Sequence, residues 1–214
     1  MVATCDFCDE LNGGTCNAFH RSYRGRLHSR IVIASRNFVV MPSIGQLTEG
    51  HLLIIPVAHR LSFGHLDKRE LHEAESLTNR VRIMLTTSYS APIYFEHGCT
   101  EEHGGCGIYH AHLHAVPVEH DLTILDRLAT AFNSRKIEDL VELRDRIVAG
   151  KPYLLYERQT GARCMYEVAT LPSQFMRRLV AEELGHDRWD WRTVGYEPML
   201  VSSVEKLEAA AAAL

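Results

Sequence analysis

Three histidines alternate with apolar residues in the segment IYHAHLHAVPV, residues 108–118. His110, His112 and His114 occupy every second position, and Pro117 ends the run. In a β-strand, side chains at this spacing share one face, so the imidazoles would line up over roughly 13 Å while the apolar residues enter the core. A neutral imidazole has one donor and one acceptor that need partners when buried. The spacing therefore indicates either a metal site or a nucleophile with an orienting neighbour and a proton donor.

Two other interpretations of this segment are weaker. Structurally satisfied histidines are common singly, but three at strict alternation disfavour that explanation. A metal-dependent hydrolase with a His-x-His-x-Asp-His signature is also disfavoured, because Leu113, His114 and Ala115 break that pattern.

Cys5 and Cys8 stand in CDFC, at the spacing of a zinc knuckle. The chain contains six cysteines, but its first residues do not read as a secretory signal. Without that signal, paired cysteines more often hold a metal or remain free thiols than form disulfides.

Composition narrows the class of protein. The 214 residues are 46% hydrophobic and 23% charged, as in a folded domain, and no apolar run reaches the length of a membrane span. We therefore expect a cytoplasmic protein that does not enter membranes. The net charge of −4 gives no general attraction to nucleic acid, so we expect no extended nucleic-acid partner, although a local basic pocket for one phosphorylated small molecule is compatible with it.

The elements around the histidines follow from hydrophobic patterning. Strands are predicted at residues 30–35, 37–41, 51–57 and 91–98, and an apolar stripe predicts a long helix over residues 67–88. Strands, then a helix, then strands indicate an α+β fold in which an antiparallel sheet is covered by that helix.

The rest of the chain predicts an α/β extension. We expect a helix over residues 126–149, a hairpin turning at residues 159–161, a helix that Pro172 opens, and a frayed Ala-rich end. For Arg177 and Arg178 a solvated helix face is favoured over a phosphate contact. For Trp189 and Trp191, packing in an interface is favoured over stacking on a nucleobase.

Two motifs resemble the histidine-triad nucleotide hydrolases and transferases. HAHLHAV matches the signature His-φ-His-φ-His-φ-φ, and EGHLLIIPVAHR, residues 49–60, is similar to the second signature, Gly-His-x-Leu-φ-φ-Pro-x-x-His. The resemblance covers residues 5–120 and implies a histidine-triad fold with a catalytic domain at residues 1–120. It further implies a homodimer, in which residues 121–214 form an extension that packs on this domain and on the partner protomer.

The resemblance also implies a role for each histidine. His112 would attack the α-phosphorus and form a nucleotidyl-histidine, His110 would hold the ring of His112 through its carbonyl, and His114 would contact the phosphate or the leaving-group oxygen. His51 would join this cluster.

These roles imply a nucleotidyl hydrolase or transferase whose partner is a nucleotide or nucleotide conjugate. It would cleave a phosphoanhydride, phosphoester or phosphoramidate bond at the α-phosphate. Two alternatives stay open: a nucleotidylyltransferase acting on a sugar phosphate or another acceptor, and a noncatalytic nucleotide- or zinc-binding module.

The resemblance to zinc-containing members of the family implies a structural Zn²⁺ held by Cys5, Cys8, His59 and His110. Two thiolates and two imidazoles make a closed tetrahedral site. Such a metal would fix the N-terminal segment to the histidine strand.

Departures from the family pattern concern the substrate. Ser43 stands where members commonly have an Asp or Asn that holds the ribose, and Gly105, Cys106 and Gly107 replace the usual Gly-Gln-Ser/Thr. The resemblance places these four residues in the substrate site, where backbone N–H groups of the Gly-rich loop would hold an oxyanion. FEHG and Cys106 are also similar to the galactose-1-phosphate uridylyltransferase branch, but His114 in place of its Gln favours the hydrolase side.

Overall fold

The computed structural model describes residues 5–100 and 108–212 of the chain. Within these ranges one antiparallel sheet has the order β1-β2-β3-β5-β4-β7-β8-β6. Its strands are β1 (Ile33–Ala34), β2 (Phe38–Pro42), β3 (Leu52–Pro56), β4 (Pro92–Gly98), β5 (Leu113–Pro117), β6 (Ser134–Lys136), β7 (Tyr153–Glu157) and β8 (Arg163–Glu167). The predicted α+β class with an antiparallel sheet is confirmed.

Helices flank this sheet on both sides. They are α1 (Asp6–Leu11), α2 (Ala18–Tyr23), α3 (Lys68–Ser88), α4 (Ile124–Ala131), α5 (Arg144–Val148), α6 (Phe175–Glu183) and α7 (Pro198–Ala211). Short 3₁₀ turns lie at Phe63–His65, Leu140–Leu143 and Trp191–Thr193. No helix of the described ranges has both the length and the apolarity needed to cross a bilayer.

The long helix α3 begins and packs as its sequence predicts. Asp67 accepts from the backbone N–H of Glu70, whose side chain accepts in return from the backbone of Asp67, so a capping box starts the helix. Leu71, Val81 and Leu85 are completely buried and pack in one core with the sheet. The helix therefore covers one face of the sheet and leaves the other face for different elements.

The extension continues the same sheet. β7 pairs antiparallel with β4, from Tyr94 opposite Glu157 to Gly98 opposite Tyr153. Helix α7 packs against α3, and its Leu207 is buried in the α3 core. Residues on both sides of position 120 thus share one sheet, and the division of the chain at that position stays a prediction.

Two predictions about the extension are wrong. The expected single helix over residues 126–149 ends at Ala131, because Phe132 adopts extended backbone angles and β6 then pairs with β8 as the last strand of the sheet. The Ala-rich end is helical through Ala211 instead of frayed, since it packs against the core around α3.

Candidate active site

The histidine segment crosses the middle of the sheet. Strand β5 begins at Leu113, so only His114 of the three lies inside it, between Leu53 of β3 and Phe95 of β4. His110 and His112 lie in the segment that leads into the strand. The alternation is nevertheless the predicted one, because Ala111, Leu113 and Ala115 are buried in the core with α3. The imidazoles therefore lie on the opposite side, toward α1 and α6.

A backbone carbonyl fixes the proton on His112. Nδ1 of its ring lies 2.7 Å from the carbonyl oxygen of His110, which only accepts, so Nδ1 carries the hydrogen. In the neutral ring this leaves the lone pair on Nε2. The ring is partly exposed to a cleft, and Phe7 of α1 contacts it edge-on at 5.6 Å between centroids. The lone pair on Nε2 of His112 can therefore accept a hydrogen bond or attack an electrophile.

A second chain of hydrogen bonds gives His114 the complementary form. The backbone N–H of Leu47 donates to Nδ1 of His51 at 3.2 Å, so the proton of His51 is on Nε2. That Nε2 lies 2.9 Å from Nδ1 of His114 and donates to it. The remaining proton of His114 is therefore on its Nε2, and Phe95 stacks on the ring at 4.4 Å. One imidazole offers a lone pair and its neighbour offers an N–H.

The imidazoles of this cluster are neutral at pH 7. Burial lowers the pKa of His112 to about 4, because the charged ring would lose its water, and the positive charge of Arg177 acts in the same direction. Burial likewise holds the pKa values of His51 and His114 well below their usual range, with a contribution from Arg177 to each. Neutral rings are the forms that the tautomer assignments require.

A cleft opens beside His112 and His114. Its walls are largely apolar and come from both halves of the chain: Phe7, Ile44, Leu53, Phe95, Ile108, Phe175, Met176 and Trp191. Besides these two histidines, the polar lining residues are Ser43, His97, Gln174 and Arg177, together with Asp6 and the ion pair of Glu10 and Arg30. Such a cleft suits a ligand with a flat apolar part and a polar part that reaches the imidazoles.

The substrate residues predicted from the sequence divide into two groups. Ser43 lies in the cleft, where its hydroxyl donates to the carbonyl of Ile44 at 3.1 Å and faces the Arg177 guanidinium at 3.4 Å. Gly105, Cys106 and Gly107 lie outside the described residues, and their proposed role stays a prediction.

The extension contributes two residues to the cleft, Arg177 and Trp191, for which the sequence favours other positions. Arg177 is only 4% exposed and lines the cleft, so the expected solvated face is wrong for this residue. It is correct for Arg178, which is exposed and pairs with Glu182. Trp191 also lines the cleft, whereas Trp189 packs on the core beside α6, as the packing interpretation predicts.

Four predicted ligands meet at the N-terminal side of the cleft. The ligand atoms of Cys5, Cys8, His59 and His110 all lie within 4.8 Å of one another, and this group could hold a metal ion. Sγ of Cys5 is 3.3 Å from Nδ1 of His110, and Sγ of Cys8 is 3.3 Å from Nδ1 of His59. Nε2 of His110 donates to the carbonyl of Pro56 at 2.8 Å, which directs the Nδ1 lone pair toward the sulfurs.

Sequence comparison matches residues 10–133 to the family described as proteins similar to the CwfJ C-terminal. The chain is similar to CWF19-like protein 1 of Homo sapiens and of Pongo abelii, at 25% identity over 161 residues in each case. These alignments cover 69% of this chain and 29% of each relative, so the chain spans under a third of the length of the curated relatives it matches.

Comparison with solved structures finds histidine-triad proteins at low identity. A hypothetical histidine triad nucleotide-binding protein from Sulfolobus tokodaii is 20% identical, with 53% of this chain and 68% of that chain covered and a TM-score of 0.39. A zinc-bound histidine triad family protein from Mycobacterium smegmatis is 19% identical, with coverages of 68% and 94% and a TM-score of 0.42. A HIT family protein from Bacillus anthracis is 19% identical, with coverages of 55% and 74% and a TM-score of 0.42.

Proposed function

This chain belongs to the family of proteins similar to the CwfJ C-terminal, and on that premise we propose that it is a nucleotidyl hydrolase or transferase acting through a covalent nucleotidyl-histidine. One observation carries the proposal. The rings of His112 and His114 lie 5.0 Å apart between centroids and are opposite tautomers. His112 is protonated on Nδ1, which bonds to the carbonyl of His110, and His114 is protonated on Nε2 because its Nδ1 accepts from His51. A structural pair of histidines needs no such complementarity toward an open cleft.

The proposed reaction has two displacements at one phosphorus. Nε2 of His112 attacks the α-phosphorus, a nitrogen–phosphorus bond forms, and the leaving oxygen departs with the electron pair of its bond to phosphorus; the nitrogen of a phosphoramidate departs in the same way and takes a proton from solvent. Water then attacks the phosphorus, the electron pair returns to Nε2, and the proton of the water passes to solvent. An alcohol, amine or phosphate in place of water gives transfer instead of hydrolysis.

His114 and His110 support this step without changing charge. Nε2–H of His114 donates a hydrogen bond to a phosphoryl or leaving oxygen, and the carbonyl of His110 stabilises the positive charge that His112 gains when its Nε2 is nucleotidylated. A neutral imidazole is a poor proton donor, since its loss of a proton leaves an imidazolate. We therefore expect leaving groups that depart as stable anions, such as phosphates, to react faster than amines.

Replacement of the nucleophile tests the proposal. His112→Ala should abolish turnover of dinucleoside polyphosphates and nucleoside phosphoramidates while leaving the melting temperature nearly unchanged, because the ring lies at the cleft. His120→Ala, on the exposed surface, is the matched control and should retain full activity. Nucleotide binding without turnover in the unaltered protein would favour the noncatalytic alternative.

We also propose that the metal at the Cys/His group is a structural Zn²⁺. Two thiolates and two imidazoles in a closed group are the donor set that tetrahedral zinc prefers. The metal would tie α1 to the end of β3 and to the histidine segment, and so hold Phe7 of α1 against the ring of His112.

Metal analysis tests this assignment. One zinc per chain is expected in the unaltered protein, and Cys5→Ser or Cys8→Ser should lose it. Cys16→Ser, at an exposed free cysteine, is the control and should retain the metal. Retention of zinc in both ligand variants would show that the ligand set is wrong.

The predicted homodimer and the cytoplasmic location belong to the same proposal. Light scattering on the purified chain tests the first, with twice the chain mass of 24.2 kDa as the expected result.

A further inference from the structure

A buried arginine from the C-terminal extension lies in the cleft, and no carboxylate of the described residues pairs with it. Arg177, in α6, is 4% exposed. Its Nε donates to the carbonyl of Trp189 at 2.8 Å, and its two terminal nitrogens donate to the hydroxyl of Ser43 and the carbonyl of Gly45. These three acceptors, two carbonyls and one hydroxyl, are all neutral. Arg177 also lies outside residues 10–133, which match the family.

Two carboxylates, Asp190 and Glu197, act electrostatically on Arg177, but both are hydrogen-bonded to other groups. Asp190 accepts from the amide of Gln174 at 2.6 Å, and Glu197 pairs with Arg188 at 2.7 Å. The other oxygen of Glu197 accepts from the backbone N–H of Gly45 at 2.9 Å. Asp190 and Glu197 therefore offset the charge of Arg177 only from a distance.

A guanidinium removed from water costs several kcal/mol unless an anion pairs with it. Arg177 has five N–H donors, of which its three neutral acceptors engage three. The remaining donors, and a charge that no carboxylate of residues 5–100 and 108–212 pairs with directly, call for an anionic partner.

Arg177 lies where such a partner would meet the reactive imidazoles. It lines the same cleft as His112 and His114. Arg30 also lines this cleft, but Glu10 holds its guanidinium through two contacts of 2.8 Å, so Arg177 is the cleft arginine that no described carboxylate pairs with. A hydroxyl-bearing ligand would gain little from that charge, whereas a phosphate would gain a bidentate partner.

We propose that Arg177 binds the phosphate of a nucleoside phosphate beside His112, so that the C-terminal extension completes the substrate site. The inference rests on the proposed function for the identity of the ligand class. Gln174, which starts α6 with a left-handed φ of 60° and bonds to Asp190, sets the helix in the position that directs Arg177 into the cleft. The phosphate held there would carry the oxygens that gain charge as His112 attacks.

Calorimetric binding to the full, metal-loaded chain tests this inference, with two pairs of probes: AMP and adenosine, GMP and guanosine. The unaltered protein should bind at least one monophosphate about 10- to 100-fold more tightly than its nucleoside, as expected for charge-assisted hydrogen bonds to one guanidinium. Arg177→Gln should remove that preference and leave nucleoside affinity within about twofold. Arg178→Gln, the adjacent exposed arginine, is the matched control and should keep the preference.

A purely structural role makes a different prediction. If Arg177 only ties α6 to the segment at Ser43, its loss should weaken nucleotide and nucleoside equally, and that result would overturn the inference. Arg177→Lys, which keeps the charge, should retain a partial preference and serves if the Gln variant does not fold. Equal affinity of the unaltered protein for monophosphate and nucleoside, or no binding of either monophosphate, would overturn it without any variant.

The two proposals can fail separately. Phosphate selectivity that depends on Arg177, with no covalent adduct at His112, would refute the nucleotidyl-histidine and keep the anion site. A covalent adduct whose formation is unchanged in Arg177→Gln would do the reverse.

Discussion

Tyr153→Phe removes one hydroxyl that joins the histidine-bearing part of the sheet to the extension. The Tyr153 hydroxyl donates to Oε2 of Glu96 at 2.6 Å and accepts from the backbone N–H of Gly64 at 3.0 Å. Oε1 of Glu96 accepts from the backbone N–H of Phe63 at 2.8 Å. All these groups are buried, so the substitution leaves polar atoms that water cannot reach.

The cost depends on the charge of Glu96. Burial raises the pKa of this carboxyl from 4.5 to about 7, so the folded protein binds a proton that the unfolded chain has lost between those values. Stability contributed by that proton is present at low pH and is lost as pH rises through 7. At about 1.4 kcal/mol per pH unit of separation, the unaltered protein should lose about 3 kcal/mol from this group by pH 8.5.

Tyr153→Phe should enlarge that loss. At pH 5.5, where Glu96 is protonated, we expect about 1 to 2 kcal/mol of destabilisation from the missing hydrogen bond and the unpaired Gly64 N–H. At pH 8.5 the carboxylate also loses a charge-assisted bond, which adds at least about 1 kcal/mol.

Urea unfolding at the two pH values measures both numbers, and Tyr109→Phe, at an exposed tyrosine, is the control and should change neither. An equal loss at both pH values would refute the account of Glu96, and a loss below about 0.5 kcal/mol at both would refute the importance of the hydroxyl.

Three further predictions concern the site. His51→Ala frees Nδ1 of His114 to take the proton, so its Nε2 would no longer donate to the substrate. Turnover measured by steady-state kinetics should fall about 100-fold or more while the fold persists, and a much smaller loss would contradict this role of His51. Because His51 and His114 have pKa values well below 6.5, their rings gain no proton between pH 8 and pH 6, and kcat/KM should show no loss near pH 6.5 from these two groups. Removal of the metal with a chelator should lower the melting temperature by about 5 °C or more, measured by calorimetry, whereas an unchanged transition would contradict a structural metal.

Several elements follow from local sequence because local forces determine them. Helix α3 has an uninterrupted apolar stripe and a capping residue, Asp67, at its start. The β7–β8 hairpin has two apolar strands around a Gly-containing turn at Gly161, which adopts the positive φ of 86° that glycine tolerates. In both cases the pattern that favours the element lies within the element.

Other features depend on partners that are distant in sequence. The break after Ala131 is set by the open edge of β8, which recruits β6 into the sheet in place of further helix. From the sequence, Arg177 and Arg178 are equally compatible with an exposed helix face. Only the packing of α6 over the cleft buries Arg177 and leaves Arg178 exposed. The single cue was that Met176, Leu179 and Val180 flank Arg177 with apolar positions.

The family resemblance predicted the residue types of the candidate site and the contact between the His112 ring and the His110 carbonyl, but not the tautomer of His114. The spacing of the histidines predicts a shared face, and the structure places His112 and His114 together at the cleft. The tautomer of His114 depends on the N–H of Leu47, which acts through His51 and whose position follows from the fold and cannot be deduced from spacing.

The proposed mechanism requires that Nε2 of His112 becomes covalently nucleotidylated. Intact-protein mass spectrometry after brief incubation with a panel of nucleotides and nucleotide sugars, under conditions that avoid acid, tests it directly. We expect a mass increase of one nucleotidyl group, located at His112 by peptide sequencing and absent from His112→Ala. An adduct at another residue, or turnover that proceeds in the His112→Ala protein, would contradict it.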